Sequence, residues 1–134
     1  MSHRHAARVA LVVAAFMLGC SPTTSPLDVI GTYVLKSVSG SPLPYQLPGV
    51  GPTRVHVLDD MIILTPSGTY SEVGHKLFTT GSTVSLASPV DAGSFRRRGD
   101  AITMESLLIG IWSGTVSGNT LTLEQQGLTL VYEK

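Results

Sequence analysis

The sequence predicts an all-β domain, folded as a small antiparallel up-and-down barrel of about seven or eight strands. Three observations lead there. Apolar and polar residues alternate with a period of two along short runs, and no window carries an apolar stripe of helical period. Glycine-containing turns separate the runs. A sheet of this size must also cover one apolar face and manage its edges, and closing on itself does both. A two-sheet sandwich is the second architecture that fits the pattern.

The first strand is read at residues 32–38, TYVLKSV, directly after Gly31. Residues 42–52, PLPYQLPGVGP, hold four prolines and so lack the amide donors of an interior strand. They are expected to form a rigid loop beside one mouth of the barrel, with Leu43, Tyr45 and Leu47 as lid contacts. Residues 54–65, RVHVLDDMIILT, are read as a short strand at 55–58 and a separate one at 61–65. Asp59-Asp60 between them is expected in a turn, where short carboxylates accept backbone hydrogen bonds.

Pro66-Ser67-Gly68 is a turn from which residues 69–73 depart. Residues 74–92 carry the weakest pattern, with one further strand expected within 79–86. Residues 93–97 lead through Arg98-Gly99-Asp100 into a strand at 101–107, and residues 111–116 lead through Ser117-Gly118-Asn119 into one at 120–124. Residues 128–133 alternate cleanly, with Leu128, Leu130 and Tyr132 on one face. An internal echo supports these hairpins: GDAITME at 99–105 matches GNTLTLE at 118–124. Each copy points two apolar side chains inward, Ile102 with Met104 and Leu121 with Leu123.

The first nineteen residues belong to no fold. Arg4 and Arg8 precede an uncharged apolar run, VALVVAAFMLG, at 9–19. That is the layout of a secretory signal peptide, and the run is shorter than the roughly 18–20 residues a spanning helix needs. The single cysteine of the 134-residue chain, Cys20, ends this run in Met17-Leu18-Gly19-Cys20. The tetrapeptide resembles the lipobox of bacterial lipoproteins, in which the cysteine is diacylated, typically with palmitate-class chains, and becomes the mature N-terminus. Ser21, rather than an acidic residue, follows it; the resemblance then implies the periplasmic face of the outer membrane in a cell with two membranes. Residues 20–28 are the lipidated cysteine and a polar tether, and residues 29–134 are the β domain.

The whole chain balances nine basic against nine acidic residues, so it offers no basic excess for nucleic acid, and one cysteine allows no internal disulfide. No cofactor is expected.

Three stretches, taken together, carry a resemblance: Gly31-Thr32-Tyr33-Val34-Leu35-Lys36-Ser37-Val38 followed by Pro42-Leu43-Pro44, then Pro66-Ser67-Gly68-Thr69-Tyr70, then residues 115–123, TVSGNTLTL. In order and spacing they resemble the lipocalin-like domain of small bacterial lipoproteins, over about residues 29–134. Tyr33 stands where true lipocalins carry a tryptophan. The resemblance implies a barrel and, at most, binding of a small ligand.

Candidate ligand-binding residues are Tyr33, Tyr70, Phe95, Ile102, Met104 and Trp112, whose strand spacing suits either a cavity wall or a filled core. Arg96 and Arg98 share one strand face and Arg97 takes the other, read as pointing away from Phe95. The cluster is either a solvated hairpin end, a contact for anionic lipid or, if one arginine turns inward, a contact for an acidic head group. His56 and His75, with Asp59, Asp60 and Glu72, are the residue types of a metal or acid–base site, but no pair has ligand spacing. No nucleophile elbow or phosphate loop is present.

The sequence therefore points to a non-enzymatic, lipid-anchored envelope protein. Either the barrel binds a small apolar or amphipathic ligand, or it is a structural or interaction module with a filled core and an exposed apolar surface near Leu107-Leu108-Ile109.

Overall fold

A computed structural model of the chain describes residues 26–134. The segment read as a signal peptide, and Cys20, lie outside the described residues. A short 3-10 helix, Pro26–Val29, precedes eleven strands. They are β1 (Gly31–Val38), β2 (Ser41–Pro42), β3 (Tyr45–Gln46), β4 (Thr53–Leu64), β5 (Thr69–Thr80) and β6 (Thr83–Ala87). After them come β7 (Val90–Arg98), β8 (Ala101–Ser106), β9 (Gly110–Ser117), β10 (Thr120–Gln125) and β11 (Leu128–Glu133).

Every pairing is antiparallel. Neighbours run β1-β11-β10-β9-β8-β7-β5-β4, and β1 then pairs back onto β4 from Gly31↔Leu64 to Val34↔Met61. That last ladder closes an eight-stranded barrel of lipocalin-like fold and excludes the sandwich. Closure also removes the free edges that an open sheet of these strands would expose.

On β8, β10 and β11 the inward rows are those that alternation picked out. Tyr33 and Leu35 on β1, Ile62 and Leu64 on β4, Ile102 and Met104 on β8, Leu121 and Leu123 on β10, and Leu130 and Tyr132 on β11 are all buried. Each large apolar side chain removed from water in this way contributes about 1.5–3 kcal/mol. The interior is tight enough to demand glycine at two inward positions. A Cβ on Gly114 would come within 1.9 Å of the Thr122 carbonyl oxygen, and one on Gly93 within 1.9 Å of the Glu105 carbonyl oxygen.

The proline-rich stretch read as a loop contributes Pro42 to β2 and Tyr45–Gln46 as β3, short edge pairs on β1 and β4, and two further stretches differ from the sequence reading. Residues 53–64 form one continuous strand, with a bulge at Leu58 where the pairing with β5 slips between Val57 and Asp59. Asp59-Asp60 is therefore mid-strand rather than in a turn. The extra residue lets Val57 and Asp60, three apart, both face inward; without it one of them would face out. Strand β5 runs on to Thr80, and the strand expected within 79–86 is instead the β5–β6 hairpin around Gly81-Ser82. Because β7 pairs only with residues 69–73 of β5, the outer halves of β4 and β5 join β3 and β6 in a flap beyond that segment.

The barrel has two unlike ends. One is capped by the 3-10 helix: the Tyr33 hydroxyl donates to the Val29 carbonyl at 2.9 Å, and Lys134 Nζ donates to the carbonyls of Asp28 at 2.8 Å and Ile30 at 3.2 Å. Lys134 Nζ also lies 5.4 Å from the Tyr33 ring centroid, so the cap is held by polar and cation–π contacts at once. The other end, ringed by the β1–β2, β8–β9 and β10–β11 turns, is the mouth. Leu43, Tyr45 and Leu47 of the proline-rich segment pack against the core, and Leu47 reaches the mouth as its lid position anticipates.

A candidate binding site at the barrel mouth

The mouth holds a cavity of about 370 Å³. Its rim is apolar, with Leu35, Val38, Leu47, Val57, Leu128 and Leu130 among its walls, and its floor carries Asp60, Glu72 and Asp91. Three strands deliver these carboxyls. The bulge in β4 turns Asp60 inward. Alternation along β5 from the buried Tyr70 turns Glu72 and then Lys76 to the same side. The Glu72↔Asp91 pairing sets Asp91 of β7 directly across from Glu72. Gly74 leaves the room this needs, since a Cβ there would sit 2.8 Å from Asp60 Oδ1.

Each carboxyl has its own surroundings. Asp60 accepts from the Tyr132 hydroxyl at 2.6 Å and from the Met61 amide at 3.0 Å. Asp91 accepts from the Tyr70 hydroxyl and from Ser106 Oγ, both at 2.8 Å. Ser106 Oγ in turn accepts the amides of Leu108 at 2.9 Å and Ile109 at 2.8 Å, tying the β8–β9 turn to the cavity floor. Glu72 differs from both: no protein donor reaches its buried Oε2, and its partner is the carboxyl of Asp60.

Burial dominates the proton equilibria here. It pushes Glu72 up to about 9, helped by the negative charge of Asp60 and the hydrogen bond to it, with Lys76 opposing. At neutral pH Glu72 therefore keeps its proton and donates it to Asp60. Asp60 is itself raised by burial, against the hydrogen bonds from Tyr132, Glu72 and Met61 that favour its charged form. The Tyr132 hydroxyl is raised well above its usual range by burial and then by the charge of Asp60. The Tyr70 hydroxyl is raised by burial and by its bond to Asp91. The tyrosines thus stay protonated and act as fixed donors.

The sequence-predicted residues fall elsewhere. Tyr33, Tyr70, Ile102, Met104 and Trp112 are buried in the core, and none borders the mouth cavity. Trp112 is 3% exposed, its ring centroid lies 6.5 Å from that of Tyr70, and its indole N–H has no partner. Phe95 and Arg97, two residues apart, share the inward face of β7 rather than diverging. They line a second recess of about 210 Å³ at the capped end, with Val29 and Ile30. There Arg97 Nε donates to the Gly99 carbonyl, while Arg96 and Arg98 are exposed on the outer wall.

Asp60 and Glu72 do meet, but without the histidines. His75 Nδ1 lies 2.7 Å from Asp59 Oδ1 on the outer face, both side chains about half exposed, and His56 sits across from Leu77 on the flap. Among the described residues no three His, Cys, Asp or Glu side chains are grouped to hold a metal ion. Asp91 is the member that sequence reasoning missed. The signal for it lay in the weakly patterned stretch, where its pairing with Glu72 was not visible.

No protein-family model matches this chain, and no curated protein is significantly similar to it.

Proposed function

We propose that this chain is an exported bacterial lipoprotein, anchored to the cell envelope through Cys20, whose non-enzymatic barrel binds one small amphipathic ligand in its mouth. The observation that carries the reading is a cavity with apolar walls and a carboxyl floor at one end of a barrel whose remaining core is apolar. Its volume falls in the range of small-molecule sites. The polar groups of the floor engage one another as fixed donors and acceptors, which suits holding a head group rather than passing a proton through a turnover. The leader and lipobox-like cysteine supply the address, and the tether joins the anchor to the capped end, opposite the mouth.

Native mass spectrometry of the protein purified from its own envelope tests this. A small molecule that travels with the native chain supports the reading. Recovery of the bare protein from every preparation, with no mass added in the presence of envelope extract, overturns it.

One observation favours a second reading, a structural or interaction protein. The lip of the mouth exposes Leu107 at 82%, Leu108 at 78% and Ile111 at 75%, beside the exposed Val90. Apolar patches of this kind mark protein contacts. A stoichiometric protein partner in the same spectra would move the assignment there.

A further inference from the structure

We infer that the ligand the mouth accepts is a protonated amine with a short apolar tail, its ammonium bound at Glu72 beside Asp60 and its tail along the leucine and valine rim. This rests on the mouth being the ligand site, and it adds the chemistry of the head group.

The hydroxyl donors of the cavity floor are all used on two of its three carboxyls. Tyr132 gives its hydrogen to Asp60, and Tyr70 and Ser106 give theirs to Asp91. Among the described residues no protein donor reaches Glu72, whose side chain borders the cavity from the middle of β5 and whose tie is to the neighbouring carboxyl of Asp60. A carboxyl on the cavity wall that no protein group donates to favours a ligand that donates there over one that does not. Charge selects further. The groups that face Glu72 are Asp60 on β4, Asp91 on β7, the Tyr132 hydroxyl on β11 and Lys76 on its own strand. With Glu72 holding its proton, the two aspartates still outnumber the one ammonium, so an anionic head group is repelled and a cationic one attracted.

A hard metal ion suits the floor poorly, because it takes six to eight oxygen ligands. Here the oxygens of Asp60 and Asp91 already accept from tyrosine, serine and backbone donors. An ammonium needs three acceptors and tolerates shared ones.

The proton balance follows. Before binding, Glu72 is a carboxylic acid whose hydrogen goes to Asp60. When the ammonium enters, Glu72 releases that proton to the buffer and accepts an N–H from the ligand, which keeps its own charge. Lys76 competes with the ligand for the same field.

Isothermal titration of the full chain with hexylamine, hexanol and hexanoate at pH 7, in two buffers of different ionisation enthalpy, tests the inference. Hexylamine is expected to bind at least about tenfold more tightly than hexanol, with hexanoate weakest, and to release on the order of one proton per amine bound. Glu72→Gln keeps the shape and neutral charge of the resting side chain. It is expected to bind hexanol as the native chain does, to lose the preference for hexylamine and to release no proton. Lys76→Met is expected to tighten hexylamine binding severalfold. Equal binding of hexylamine and hexanol without proton release overturns the amine assignment and leaves the mouth as a ligand site. Failure of all three probes to bind the native chain overturns both.

Discussion

At the scale of single residues, Glu72 carries the clearest thermodynamic signature. In the unfolded chain its carboxyl titrates near its ordinary value, whereas in the barrel burial holds the proton up to about pH 9. The folded state therefore binds more protons than the unfolded state between those limits, and stability falls as pH rises through that window. The contribution is fully present below the ordinary glutamate value and gone above about 9. Glu72→Gln removes this dependence. The variant is expected to match the native protein near pH 4, to exceed it by about 1–3 kcal/mol at pH 7 and to pull further ahead towards pH 9. Urea unfolding at a series of pH values measures it, and parallel curves for the two proteins would show that Glu72 is not buried in its acid form. Asp60, raised in the same direction, adds its own fall at the acidic end in both proteins. The inward direction of Glu72 was legible from the sequence, because it lies two residues from Tyr70. Its protonation was not. That depends first on burial inside the barrel and then on Asp60, twelve positions away, reaching the same layer through a bulge.

Among elements, the strands of strongest alternation were the most legible, and they share a physical reason. Strands β8, β10 and β11 each face solvent on one side and core on the other, so burial writes a period of two into their sequences. Strand β4 breaks that rule twice, through Asp60 inside the barrel and through the phase change at Leu58, and so was read as two pieces. The outer half of β5 faces the flap and the mouth, where exposure is intermediate on both sides and no alternation accumulates. The inward glycine of β9 makes a sharper test of how these elements fit. Gly114 lies opposite Ile102 on one side and Leu123 on the other, where backbone and side-chain atoms already fill the space of a methyl group. Gly114→Ala is expected to lower stability by about 2 kcal/mol or more, because the atom it meets first is backbone and cannot swing away. Gly118→Ala is a control of a different kind. Nothing lies within 4 Å of its Cβ position, so its cost arises from the left-handed backbone alone, at about 1 kcal/mol. Thermal unfolding of the two variants compares them. A Gly114→Ala protein as stable as the native one would mean that β9 and β10 are not packed as described.

For the whole molecule, the polarity of the barrel and the position of the anchor make one geometric argument. The chain enters the fold at the capped end through the Pro26–Val29 helix, which Lys134 fastens through the Asp28 and Ile30 carbonyls. If Cys20 carries the lipid, residues 21–25 span at most about 17 Å when fully extended. A strand of eight residues such as β1 rises about 26 Å along its own axis and somewhat less along a tilted barrel axis. Such an anchor would hold the capped end near the bilayer and turn the mouth, with its carboxyl floor and apolar lip, away from it. In that orientation Arg96 and Arg98, exposed on the wall towards the capped end, would add about 1 kcal/mol each against anionic lipid. If acyl chains block Cys20, an introduced cysteine is the sole thiol for labelling. A fluorophore at Asn119→Cys, in the β9–β10 turn of the capped end, is expected to be quenched by head-group spin-labelled lipid. The same label at Leu107→Cys, on the lip of the mouth, is expected to escape quenching. The opposite ranking would place the lip in the membrane, and then its leucines would be lipid contacts rather than the entrance to a site open to the aqueous envelope. Equal quenching at both positions would show a barrel lying on its side, with the tether too loose to orient it.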